Sequence, residues 1–202
     1  MDKGYLHYVW NRRIKPIRPS YLILVCALFA IVCALSLREN NLGMIQLRNA
    51  VYEADEQNGD VEKALYELRS YVYSHMNTNL AGGENPVYPP IQLKYTYQRL
   101  VEAEQKRLSD AGSKIYSEAQ AECERRFPDS FSGGPRIPCI QEYVTQHGVK
   151  PQQIPDGMYK FNFASPTWSP DTAGWTMLLA GLFGILAALR IAAGILARRF
   201  LQ

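Results

Sequence analysis

Two stretches of the chain are apolar almost throughout, and between them the apolar positions recur with a helical period. The first stretch, Tyr21–Leu37 (YLILVCALFAIVCALSL), has seventeen residues and no charge. The second, Gly174–Ala197 (GWTMLLAGLFGILAALRIAAGILA), is longer and holds one charge, Arg190. A hydrocarbon core of about 30 Å takes roughly 20 helical residues. The first stretch reaches that length if Ser20 joins it or Arg38 snorkels. The second reaches it with Arg190 in the membrane or at its boundary. The pattern predicts two transmembrane helices, at 20–37 and 174–197.

Beyond the first span, Met44, Leu47, Val51 and Ala54 keep the helical spacing without a break signal, so the membrane helix is expected to continue until Asn58-Gly59 stops it. Asp60 is placed to cap a second helix, whose stripe is Val61, Leu65, Leu68, Val72 and Met76 and which runs to about Asn77. The short turn between the two makes them antiparallel neighbours. Gly82-Gly83, Pro86 and Pro89-Pro90 then break the pattern. Pro90 suits the first turn of the longest helix, 91–127, with Leu93, Tyr97, Leu100, Leu108, Ala111, Ile115 and Ala119 as its apolar face and Gly112 as a place for a bend. A short helix is expected at Ile140–His147. Met158–Phe163 alternates as a strand would, but no second strand is evident, so it is expected to lie as an extended strap. The fold class is mainly α: two membrane helices flank an extracytoplasmic antiparallel helical bundle, with a short extended or β segment near 158–164.

Charge gives this arrangement an orientation. The net charge of +3 hides a segregation: residues outside 38–173 carry about +7, and those inside carry about −4. Lys3, Arg12, Arg13, Lys15 and Arg18 precede the first span, and Arg198 and Arg199 close the second. By the positive-inside rule both termini are cytoplasmic, with 1–19 and 198–202 as tails and 38–173 as the domain outside the cell membrane. Trp168 and Trp175 suit the outer interface. A nucleic-acid binder concentrates its bases on the folded domain, and this chain does not. A cleaved signal peptide is the competing reading of the first stretch, but the apolar run is long for one. Arg190 lies eight residues before Arg198, close enough for its side chain to reach the inner headgroups.

Small residues recur every fourth position on both spans: Cys26, Ala30 and Ala34 on the first, Ala180, Gly184, Ala188 and Ala192 on the second. Such ridges allow close backbone approach, of one span on the other or on a second copy. Cys123 and Cys139 are the two cysteines outside the spans. An oxidising compartment makes them a structural disulfide, worth roughly 3 kcal/mol in the chain-entropy model for a loop of about 15 residues.

The connection after the second helix is rich in aromatic residues. Tyr73, Tyr88, Tyr95 and Tyr97 are expected near one end of the bundle, either as a partner-contact surface or as rings that plug its open end. Glu84, Glu102, Glu104 and His75 are the acid–base groups an enzyme would need. They show neither a nucleophile–base pairing nor a metal spacing, so no catalytic residue, metal or cofactor is assigned.

The segments NGDVEKALYELRSYVYSHMNTNL, YPPIQLKYTYQRLVEAEQ and YKFNFASPTWSPDTAGW resemble two-pass membrane proteins of Saccharibacteria, small-genome bacteria that live attached to other bacteria. The resemblance covers most of 38–175. It implies a cell-surface setting and carries no catalytic residues. The topology is also similar to chemoreceptor sensor modules, although those continue into a linker and an output after the second span, where only a short tail follows Arg198 here. The function expected is non-enzymatic: binding of a protein partner or a second copy, with membrane lipid around the spans and no nucleic acid. The alternative is a ligand sensor that signals through a separate protein.

Overall fold

The computed structural model describes residues 18–82, 86–128 and 134–200. Lys3, Arg12, Arg13, Lys15 and Glu84 lie outside the described residues. In chain order the elements are α1 (Pro19–Glu56), α2 (Val61–Ser74), β1 (Ile91–Gln92), α3 (Lys94–Arg126), α4 (Arg136–His147), β2 (Lys160–Phe161) and α5 (Thr172–Phe200). The fold is mainly α, and α1 and α5 are both long and apolar enough to cross a membrane. The described residues fall into two compact units. The first draws on 18–53, 60–82, 86–88 and 162–200, the second on 54–59, 89–128 and 134–161.

In the first unit, α1 is one uninterrupted helix from the apolar run into the polar chain. Asn58, with φ at 54°, ends it. Asp60 caps α2 by accepting from the Lys63 N–H at 2.9 Å. The predicted stripes meet: Met44 and Val51 of α1 and Leu68 and Val72 of α2 are fully buried, with Met76 and Leu80 beside them. Gly43 sits where any Cβ would collide with the Tyr71 ring, so the glycine allows α2 its close approach. The helix α2 stops at Ser74 rather than near Asn77. Met76 is held beyond the helix by Ser169 Oγ, which accepts its N–H at 3.0 Å.

The two apolar helices pack antiparallel. Cys26 Sγ donates to the Ala180 carbonyl at 3.3 Å and Cys33 Sγ to the Ala173 carbonyl at 3.6 Å. Phe29 stacks on Phe183 at 5.8 Å. The contact seam alternates steps of three and four, through Cys26, Phe29, Cys33, Ser36 and Asn40 on α1 and Ala173, Thr176, Ala180, Phe183 and Ala187 on α5. The seam within the chain takes up only part of the four-residue ridges. Cys26, Ala180 and Gly184 lie at the contact, whereas Ala30, Ala34, Ala188 and Ala192 are exposed. A step of four turns 400° on a helix of 3.6 residues per turn, so a ridge of fours drifts off the seam by about 40° per step. The register also places Arg190 about 15 Å beyond Ala180, while Pro19 is only about 10 Å beyond Cys26. Arg190 therefore lies past the described start of α1, toward the end of the helix pair.

In the second unit, Ile91, Leu93, Ala119 and Cys123 are buried. Two expectations are corrected there. The long helix begins at Lys94, not at Pro90, and runs through Gly112 without interruption. Asp55, at the end of α1, sets that start: its carboxylate accepts the Tyr95 N–H at 2.9 Å and the Thr96 N–H at 2.7 Å. The second correction concerns the strap, which does have a partner strand. Ile91 pairs with Phe161 and Gln92 with Lys160, antiparallel. The Cys123–Cys139 disulfide is present and joins the last turn of α3 to the first turn of α4, which starts at Arg136.

Candidate functional site

The strap between α4 and β2 runs antiparallel to α3 and is fastened at two places. At one end the Arg107 guanidinium donates to the Lys150 carbonyl at 3.2 Å, and the Gln152 N–H donates to Glu104 Oε1 at 2.7 Å. At the other the Leu93 N–H donates to the Tyr159 carbonyl at 2.8 Å, next to the β1–β2 pair. Pro151 and Pro155 offer no N–H, and among the described residues nothing accepts from the backbone N–H of Gln153 or Ile154. Between the fastenings the strap stands off the helix and leaves an open groove of about 830 Å³.

Tyr97, Val101, Glu104, Gln105 and Leu108 supply the helix wall of the groove. Tyr97, Val101, Glu104 and Leu108 recur along one face because steps of four, three and four stay close to the helical period, and Gln105 flanks that line. Eleven residues separate Tyr97 from Leu108, which makes the groove roughly 16 Å long. The opposite wall is the strap, with Gln153 and Ile154 between its prolines. Tyr97 and Tyr159 close one end with ring centroids 4.6 Å apart. Tyr159 is held there through its hydroxyl, which donates to Asp156 at 2.9 Å, while Lys160 bonds the same carboxylate at 2.9 Å.

Charge in the groove is fixed by these bonds. The Arg107 guanidinium, followed by the Gln152 N–H, holds the Glu104 carboxyl down at about 2. Arg107 is raised in turn by Glu104. Lys160 and then Tyr159 lower Asp156. Both carboxylates are therefore ionised and engaged. Gln105 and the Gln153 side chain have no hydrogen-bond partner among the described residues, so their amides are available to a ligand.

The four tyrosines do not share one unit. Tyr97 lines the groove and is 41 % exposed. Tyr95 braces the end of α1 instead: its hydroxyl donates to Glu56 at 3.1 Å, and that bond raises its pKa. Tyr73 and Tyr88 belong to the first unit. Tyr73 meets Phe163 edge-on at 6.3 Å, and Tyr88 is 72 % exposed. The groups considered for acid–base chemistry are also dispersed. Glu104 serves the strap, Glu102 points to solvent, and His75 stacks on Tyr71 at 4.0 Å. Among the described residues no three His, Cys, Asp or Glu side chains converge as metal ligands.

The features that sequence reading missed are Asp55 as the cap of α3 and the strap residues Gln153, Ile154 and Tyr159. The strap had a signal in its two prolines and its alternation. Asp55 had none, because a carboxylate beside an apolar stripe reads as solvated until its partners forty residues away are known. The chain matches no family model, no curated protein and no solved structure.

Proposed function

We propose that this is a two-pass membrane protein that binds an extended segment of a partner polypeptide in the groove between α3 and the strap. The helical domain lies on the extracytoplasmic side, both termini are cytoplasmic, and the protein carries out no reaction of its own. Two long apolar helices fit a membrane protein. The observation that carries the binding assignment is the open groove along α3, whose strap wall carries backbone N–H groups at Gln153 and Ile154 with no acceptor among the described residues. Successive N–H groups of an extended chain point to opposite sides, so one of the two serves the groove. Extended peptides bind by adding backbone hydrogen bonds to such an edge and seating alternate side chains in pockets. A groove of roughly 16 Å takes about five extended residues at 3.3 Å each. The Tyr97–Tyr159 pair offers the rigid aromatic contact favoured at such interfaces. The resemblance to surface proteins of attached bacteria supports a partner on or near the cell envelope.

The test is mild crosslinking in cells, purification of the full chain and mass spectrometry of what accompanies it. A partner retained by the wild type and by Tyr95→Phe, but lost from Tyr97→Ala and from Tyr159→Ala, supports the groove. A partner retained equally by all four refutes it.

One observation favours a sensor as the second reading. The groove helix takes its cap from Asp55, and Asp55 ends the same helix that forms the first span. A ligand that shifts the start of α3 would act on α1 through that carboxylate. Thiol accessibility along α1 that changes when the groove is occupied would favour this reading.

A further inference from the structure

A second pocket, in the first unit, has different chemistry. The helix pair α1–α2 returns the chain to the end of the apolar run, where Asn77, in the left-handed region with φ at 62°, turns it. Asn77 donates its amide to the carbonyl of Leu37, the last apolar residue of the span, at 3.2 Å. Asn79 is tied to the same helix one turn on, its N–H donating to Asn41 at 3.4 Å. The exposed Trp168 and Trp175 rings meet edge to face at the same end of α5, as indoles do at a lipid boundary. The loop at Asn77–Ala81 and the segment Asn162–Ser165 together line an open pocket of about 350 Å³, with Tyr88 at the margin.

Among the described residues no charged side chain lines this pocket. Asn77, Asn79 and Asn162 offer amides that both donate and accept, and Ser165 and Tyr88 offer hydroxyls. The Asn162 amide and the Ser165 hydroxyl have no partner among the described residues. Phe163 supplies a ring wall that Tyr73 holds edge-on. Amides beside a ring suit the vicinal hydroxyls and C–H face of a sugar. The volume is at the small end for a ligand site, enough for one sugar ring and too little for acyl chains as well.

We propose that this pocket binds the sugar headgroup of a glycolipid whose acyl chains stay in the bilayer beside α1. The proposal rests on the two-span reading, because that reading puts Leu37 at the membrane surface. The experiment uses the full chain in phosphatidylcholine nanodiscs with and without monoglucosyl diacylglycerol. Native mass spectrometry then counts the lipids retained. Alkaline carbonate extraction of the source membranes is run alongside.

The expected result is retention of one glycolipid in preference to phosphatidylcholine. Asn162→Ala combined with Ser165→Ala should weaken that retention about tenfold, Asn162→Leu at least as much, and Tyr97→Ala not at all. Circular dichroism checks that each variant folds. Retention in proportion to lipid abundance, or unchanged retention in both pocket variants, overturns the assignment. Methyl glucoside binding in the absence of glycolipid, as tightly as the lipid, would show a free-sugar site and overturn the headgroup. Release of the protein by carbonate would sink the two-span reading, and this proposal with it.

Discussion

Asn40 donates its side-chain amide to Asp171 Oδ2 at 2.7 Å and to the Met76 carbonyl at 3.2 Å. One buried amide on α1 thus ties Met76, just beyond α2, to Asp171, the residue before α5. Asp171 caps α5 through its other oxygen, which accepts the Gly174 N–H at 2.9 Å. Burial works against its charge, but the bonds from Gly174, Asn40 and Ser169 hold its carboxyl below the ordinary range. Asn40→Leu removes the donor and leaves a carbonyl and a carboxylate short of a partner. The expected loss is about 1–3 kcal/mol of stability. Thermal unfolding in detergent, read against the exposed-site control Asn49→Ala, measures it.

Asp55 joins the end of α1 to the start of α3. Its side chain is 2 % exposed and meets Arg99 at 3.0 Å as well as the two N–H groups and the Thr96 hydroxyl. Asp55→Ala orphans all of them. Breaking a fully buried pair costs about 3–5 kcal/mol. Because the Arg99 side chain is 36 % exposed and can turn to water, a loss of about 2–3 kcal/mol is expected here. Hydrogen exchange should quicken first at Tyr95 and Thr96. Protection there equal to wild type would contradict the cap.

The fastening of the strap should depend on acid in one window. Glu104 titrates at about 2 in the fold, below its ordinary 4.5. A depressed carboxylate contributes fully above its unfolded value and loses that contribution as pH falls through its folded value. The Gln152 amide should therefore stay protected down to about pH 4.5 and lose protection toward pH 2. In Glu104→Gln the change attributable to this carboxyl should vanish from that window. Amide exchange or chemical shift of Gln152 against pH is the readout.

The helix seam separates positions that look alike in sequence. Gly184 faces Cys26, whose sulfur would lie 3.6 Å from a Cβ placed there. Gly184→Leu should push the helices apart at a cost of about 1–3 kcal/mol. Ala188→Leu, one step along the predicted ridge but exposed, should leave the packing within the chain unchanged. A disulfide-trapping comparison of the two variants, with engineered cysteines at the Phe29 and Phe183 positions, distinguishes them.

Helix content, the antiparallel α1–α2 pair and the disulfide were legible because each rests on local pattern or on count. Met44, Val51, Leu68 and Val72 declared their face by spacing alone. What failed depends on partners distant in sequence. Ile91–Gln92 is too short to show a strand pattern and becomes one only opposite Phe161. The start of α3 is set by Asp55, not by Pro90. Of the four-residue ridges only Cys26, Ala180 and Gly184 reach the seam within the chain, since helix pairs follow a period nearer three and a half. The groove was half legible: Tyr97 stood out as an aromatic in a connection, while its facing wall needed the strap's path.

The most direct measurement is photo-crosslinking in cells from a reactive amino acid placed at position 97, with position 116 as the control. Tyr116 is also exposed on α3 but lies outside the groove. The account predicts a protein adduct from position 97 whose crosslinked peptide maps to one short extended segment, and none from position 116. Equal adducts from both positions, or adducts from 116 alone, would contradict it.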